Sequence, residues 1–104
     1  PGLKKEIASA LFKGPPALSC APNPFAPESR VAFSISGASG ITLAVYAPDG
    51  RLVRKLAHGR FEAGTHYAVW DGRNAQGRPV SAGVYCYRLE AGKETRIIKA
   101  LLAR

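Results

Sequence analysis

Turn-forming residues interrupt this chain at short and fairly regular intervals, and the stretches between them suit strands, with no convincing internal helix. Gly37 to Gly40, Pro48-Asp49-Gly50, His58-Gly59, Ala63-Gly64, the glycines from Gly72 to Gly83, and Ala91-Gly92-Lys93 mark the breaks. Glycine accepts a positive φ there and proline pre-sets its own. Between the breaks, apolar residues alternate. Val31, Phe33 and Ile35 are separated by Ala32 and Ser34, and Ile41, Leu43 and Val45 repeat the pattern. Leu52 to Leu56, Thr65 to Trp70, Val84 to Leu89 and Thr95 to Leu102 add further runs. A period of two puts alternate side chains on opposite sheet faces. The expected fold is therefore all-β, a small antiparallel sandwich of six or seven strands.

The alternation also selects a core. Val31, Phe33, Ile35, Ile41, Leu43, Val45, Trp70, Tyr85, Tyr87 and Leu89 are expected to point inward, joined by Ile98 and by Leu101 or Leu102. The stretch from Trp70 to Leu89 reads as strand, shaped loop, strand. Trp70, Asp71, Gly72, Gly77, Gly83 and Tyr85 define that loop. If Tyr85 and Tyr87 face inward, Cys86 faces out, because neighbouring strand residues point to opposite sides. Two cysteines allow one bridge, Cys20 to Cys86. In an exported protein such a bridge, closing so long a loop, would contribute about 4 kcal/mol and would pin the proline-rich segment across the outer sheet face. The alternative is two buried reduced thiols.

A length of 104 residues suits one domain. Residues 1 to 19 read as an arm or linker remnant and 20 to 104 as the folded unit. Leu3, Ile7, Ala10 and Leu11 share a helical face ahead of the stop Gly14-Pro15-Pro16, yet Ile7 to Phe12 is also short enough for a strand. Cys20 to Pro27 holds three prolines, which exclude a helix and mark the entrance to the domain. The chain lacks an uncharged apolar run of the roughly 20 residues that cross a membrane. It opens without Met or a signal-peptide apolar region, so it is expected to be a mature product or a fragment of a longer protein. The net charge is +8 and the pI about 10.0, a balance that favours anionic surfaces. The cations are spread, however, with only Lys4-Lys5 and Arg54-Lys55 adjacent. A solvated surface is preferred over a nucleic-acid site.

No catalytic residue, cofactor or metal is expected. Asp71-Gly72-Arg73-Asn74 with Gly77 has oxygens that suit calcium but lacks the closing carboxylate of a complete loop, and Asx-type turns explain it better. His58 and His66 have no ligand at metal spacing, and Ser81, His66 and Asp71 would converge only by accident of fold. The aromatics could form a stacking platform, but most lie on inward faces; Tyr67 is the one whose exposure decides the matter, and Arg60, Arg73 and Arg78 near it could make a basic patch.

Taken in order, several short motifs match a known pattern. These are Pro22-Asn23-Pro24-Phe25, Val45-Tyr46, Gly50-Arg51-Leu52-Val53, Ala63-Gly64-Thr65-His66, Trp70-Asp71-Gly72-Arg73, Gly77-Arg78-Pro79-Val80, Gly83-Val84-Tyr85, Arg88-Leu89, Ala91-Gly92, Lys99 and Leu101-Leu102. Over about residues 20 to 104 the chain resembles the immunoglobulin-like domain of the flagellar hook-cap protein and the related C-terminal sorting domains of type IX secretion cargo. It departs from the pattern at Ala26, Ala47 and Cys86. The resemblance implies an immunoglobulin-like sandwich that is exported, non-enzymatic and located at the cell surface or outside the cell. Its partner would be a protein: a secretion or surface-anchoring machinery that recognises it as a sorting or attachment domain. Two further readings stand beside this one. A structural subunit of an extracellular assembly would use the arm for strand addition between copies, with Ile7, Leu11, Phe12 and Lys99 as partner contacts and a homo-oligomer as the result. A basic carbohydrate- or nucleic-acid-binding module would bind in a salt-dependent way, with nucleic acid the less favoured ligand.

Overall fold

The alternating runs become two antiparallel sheets in a computed structural model that describes residues 16–103. The strands are β1 (Ala17–Ala21), β2 (Ser29–Ile35), β3 (Ser39–Tyr46), β4 (Leu52–Phe61), β5 (Gly64–Trp70), β6 (Gly83–Ala91) and β7 (Glu94–Leu102). One sheet has the order β1-β2-β5 and the other β4-β3-β6-β7. The chain is an immunoglobulin-like β-sandwich, and no helix occurs among the described residues. None is therefore long and apolar enough to cross a membrane.

Two boundaries differ from the sequence reading. β1 begins at Ala17 and pairs with β2 from Ala17↔Ser34 to Ala21↔Arg30, so it spans the boundary expected between residues 19 and 20. Its small residues carry little periodic signal, and only the ladder with β2 fixes them as a strand. β4 continues through His58-Gly59, where the turn signals predict a connection. Its partner β3 offers backbone groups as far as Ser39, opposite Phe61, and ladder pairing overrides a weak local turn signal. Register shifts after Leu43 and after Val45 mark bulges on that pair.

The core lies between the sheets. Val31, Phe33, Ile35, Ile41, Leu43, Val45, Trp70, Tyr85, Tyr87 and Leu89 are all buried, as expected from the alternation. On β7, Ala100 and Leu102 face inward and Leu101 is exposed, while Ile98 shares the inward face and packs partly buried against the core. Phe25 is fully buried although it belongs to no strand. Ala47, Val53, Ala91 and Ala100 complete the core cluster, while Ala44 is buried on the outer face of β3 opposite Arg88; no apolar pattern announces the burial of these alanines.

Candidate functional site

Trp70 ends β5 and organises the residues around it. Its indole is fully buried, with ring centroids 5.5 Å from Phe25, 5.1 Å from Tyr85 and 6.1 Å from Tyr87. The tilted and edge-on geometries are those that aromatic quadrupoles favour. The indole Nε1–H donates to the Arg73 carbonyl at 2.9 Å, so the ring also fixes the start of the following loop. Tyr85 Oη donates to the Ser81 carbonyl at 2.6 Å and fixes its end.

Between those anchors the loop satisfies itself. Asp71 Oδ1 accepts the Arg73 amide at 3.1 Å and pairs with Arg54 Nη1 at 3.2 Å. Asn74 Oδ1 accepts the amides of Gln76 and Arg78, both at 3.0 Å. Gly72 (φ 74°) and Gly77 (φ 79°) adopt left-handed conformations that side chains resist. The carboxylate and amide oxygens that suggested a calcium loop are thus committed to Asx-type turns. Among the described residues, no three His, Cys, Asp or Glu side chains gather to hold a metal ion. The loop also reaches sideways: the Ala75 amide donates to the Val53 carbonyl at 3.1 Å and caps the edge of β4.

A second irregular segment does the same for β7. Asn23 Oδ1 accepts the Leu101 amide at 2.9 Å and Asn23 Nδ2 donates to the Lys99 carbonyl at 3.4 Å. Phe25 then forms a parallel bridge with Leu102: its amide donates to the Leu101 carbonyl and its carbonyl accepts the Ala103 amide, each at 2.9 Å. The Pro22-Asn23-Pro24-Phe25 motif is an edge closure, a role that sequence reasoning missed. The signal was the proline spacing, which excludes a regular strand while leaving one amide side chain free to imitate a peptide group.

The cysteines correct an expectation. Both are free thiols. Cys20 lies on β1 and packs against the core, whereas Cys86 lies on β6 with its side chain on the outer face, between the inward-facing Tyr85 and Tyr87. They sit in different sheets, and Cys86 points away from the layer that Cys20 faces, so the fold does not bring them together as the bridge required. Burial pushes the Cys20 thiol up, outweighing the Ser29 hydroxyl, which pulls the other way. Tyr87 is pushed up to about 12, chiefly by burial. Ser29 is close enough to moderate that shift, yet Ser29 Oγ and Tyr87 Oη are both buried without an aligned hydrogen bond.

The remaining candidates are dispersed. His66 Nε2 donates to the Glu62 carbonyl at 2.7 Å, and its ring meets Phe33 tilted and Phe61 edge-on. His58 Nδ1 lies 3.0 Å from Thr42 Oγ1. Tyr67 is 65% exposed, and the cation over it is Arg30 at 5.8 Å. The Arg73 guanidinium is instead spent within the loop, on the Gly77 carbonyl. A lone exposed tyrosine falls short of the several stacked aromatics a platform uses. Lys99 is exposed on β7. Ile7, Leu11 and Phe12, and the choice of helix or strand for residues 3 to 13, lie outside the described residues.

Comparison with known proteins places these features. The FlgD Ig-like domain family model matches residues 23–95. The basal-body rod modification protein FlgD of Salmonella typhimurium is 40% identical over 48 residues, covering 46% of this chain and 21% of the relative. The chain thus spans about a fifth of the length of the relative it matches. Among solved structures, latent PorU of Porphyromonas gingivalis aligns over 86% of this chain and 10% of its own with TM-score 0.69 and 16% identity. PorZ of the same organism, a surface component of the type IX secretion system, covers 85% of this chain and 12% of its own at TM-score 0.59 and 23% identity. FlgD of Xanthomonas campestris covers 94% of this chain and 73% of its own at TM-score 0.57 and 18% identity. At these identities the structural likeness concerns the fold alone.

Proposed function

Because the chain belongs to the FlgD Ig-like domain family, we propose that it is a non-catalytic, exported module of a flagellar- or secretion-associated protein and works by being bound. The observation that carries this reading is that the polar side chains of its most distinctive loop, Asp71, Arg73 and Asn74, are all engaged in holding the loop itself. With those side chains committed, the loop offers a fixed shape to a partner. In its finer form, the module is a sorting or attachment domain that a secretion or surface machinery recognises, and it resides at the cell surface or outside the cell. The test is to fuse the full chain to the C-terminus of a reporter enzyme in the source organism. The reporter is expected in the medium or on the surface, and a Trp70→Ala fusion is expected to lose it; a reporter that stays inside the cell with the intact chain overturns the reading.

A second reading takes up the relative's name, a basal-body rod modification protein. Here the domain is a structural element of an extracellular assembly, with Ile7, Leu11 and Phe12 making contacts between copies. Light scattering on the full chain and on a chain lacking residues 1 to 15 tests it. Unchanged assembly state on deletion removes the idea.

A further inference from the structure

The hydrogen bonds that close the end of β7 also reveal which of its backbone groups face the edge. Asn23 and Phe25 bond the Lys99 carbonyl and both backbone groups of Leu101. In an antiparallel strand the N–H and C=O of one residue point to the same side, and those of the next residue to the other. The pairing of β7 with β6 runs without a register shift from Glu94 to Leu102. Thr95, Ile97 and Lys99 therefore look outward, while Arg96, Ile98 and Ala100 bond β6. Among the described residues, no hydrogen bond reaches the peptide groups of Thr95 and Ile97 or the N–H of Lys99. The Pro22-to-Phe25 segment stops short of them. Ile97, in the middle, is 59% exposed. An unpaired, apolar stretch of edge is a template for another chain.

We propose that β7 takes up an extended acidic segment of another protein by strand addition along Thr95 to Lys99. The inference rests on reading the domain as a module that works by being bound, and it names the surface and the partner's chemistry. Main-chain bonds to the open groups hold the added strand, and flanking side chains select it. Lys93, Arg96 and Lys99 surround the stretch, with Glu94 the carboxylate of the strand. Arg96 Nε also donates to the Pro16 carbonyl at 2.9 Å, which holds its cation beside the edge. A second copy would bring the same cations and a net charge of +8. The chain's own residues 1 to 15 carry Lys4, Lys5 and Lys13 against Glu6. Both are repelled where a carboxylate-bearing strand is attracted.

Amide hydrogen exchange on the full chain, followed by NMR, tests the proposal with two synthetic peptides, one alternating valine with glutamate and one alternating valine with lysine. In the free chain the amides of Thr95, Ile97 and Lys99 are expected to exchange at least about tenfold faster than those of Arg96, Ile98 and Ala100. The glutamate peptide is expected to slow the outward amides about tenfold, and the lysine peptide to leave them unchanged. Ile97→Pro removes only an outward N–H, so it should fold and lose the effect, whereas Ile98→Pro should break the β6 ladder and unfold. Outward amides already protected in the free chain overturn the proposal: protection that rises with protein concentration assigns the edge to a second copy, and concentration-independent protection assigns it to residues 1 to 15. Equal protection by both peptides, or an Ile97→Pro chain that cannot fold, overturns it as well. Export plays no part in this measurement, so its failure and that of the reporter fusion are distinct.

Discussion

The β5–β6 loop and the Pro22-to-Phe25 segment cap opposite edges of the same four-stranded sheet, and they differ in where their hydrogen bonds come from. The loop is built from bonds a few residues long: Asp71 to Arg73, Asn74 to Gln76 and Arg78, Trp70 to Arg73. The segment depends on a partner 78 residues away, since Asn23 bonds Leu101. One shape is written locally and only then docked against Val53; the other exists only once β7 is in place. Both still meet at one side chain, because Trp70 holds the Arg73 carbonyl on one side and packs on Phe25 on the other.

The sharpest way to break the comparison is to remove that shared anchor. Trp70→Ala is expected to cost about 3–5 kcal/mol and to loosen both caps together. Denaturant unfolding reads the first effect, and exchange at the Leu101 and Ala75 amides the second. Loss at one cap only would show that the two do not share an anchor.

Alkaline titration strikes the same shared core more gently. The Tyr87 pKa is raised from 10.0 to about 12, so the folded chain keeps this proton over a range in which the unfolded chain releases it. The stabilisation is fully present below pH 10 and is lost as pH rises through about 12, a change on the order of 2 kcal/mol. Tyr87→Phe is expected to remove that part of the pH dependence. At pH 7 it should leave stability unchanged or higher by about 1 kcal/mol, because the deleted hydroxyl has no aligned partner. Denaturation midpoints of both chains across pH 8 to 12 measure the difference.

Two smaller changes separate the caps. Gly77→Ala forces a side chain into a conformation with φ 79° in open space, so the expected cost of about 1–2 kcal/mol comes from the backbone alone and stays within the β5–β6 loop. Asn23→Ala removes both edge bonds of an exposed residue, with an expected cost of about 1 kcal/mol and faster exchange at Leu101, while Ala75 is unchanged. Chemical denaturation with site-resolved exchange checks both, and cross-talk between the caps would show that they are coupled beyond Trp70.

The same contrast explains how much was legible in the sequence. The β5–β6 loop could be read almost entirely, since Asp71, Asn74, Gly72 and Gly77 act on their own neighbours. The inward set from Val31 to Leu89 was legible because alternation is a local property of a strand. Phe25 was harder: it lies in a proline-rich segment with no period, and its burial follows from the position of Trp70. The proposed Cys20–Cys86 bridge failed for the same reason, because chain parity says which way Cys86 points but not which sheet Cys20 joins.

By itself the sequence determined where most of the strands and turns fall, which residues of β2, β3 and β6 face inward, and how the loop after Trp70 is shaped. These depend on φ preferences, side-chain alternation and hydrogen bonds over a few residues. The tertiary structure decided the strand order, the pairing of β1, the run of β4 through His58-Gly59, the separation of the two thiols, the choice of Leu102 over Leu101 for the core, and the half of the β7 edge that no other described residue pairs. Those depend on which distant backbone groups meet, and the entropy of closing long loops lets many pairings compete until the packed core selects one.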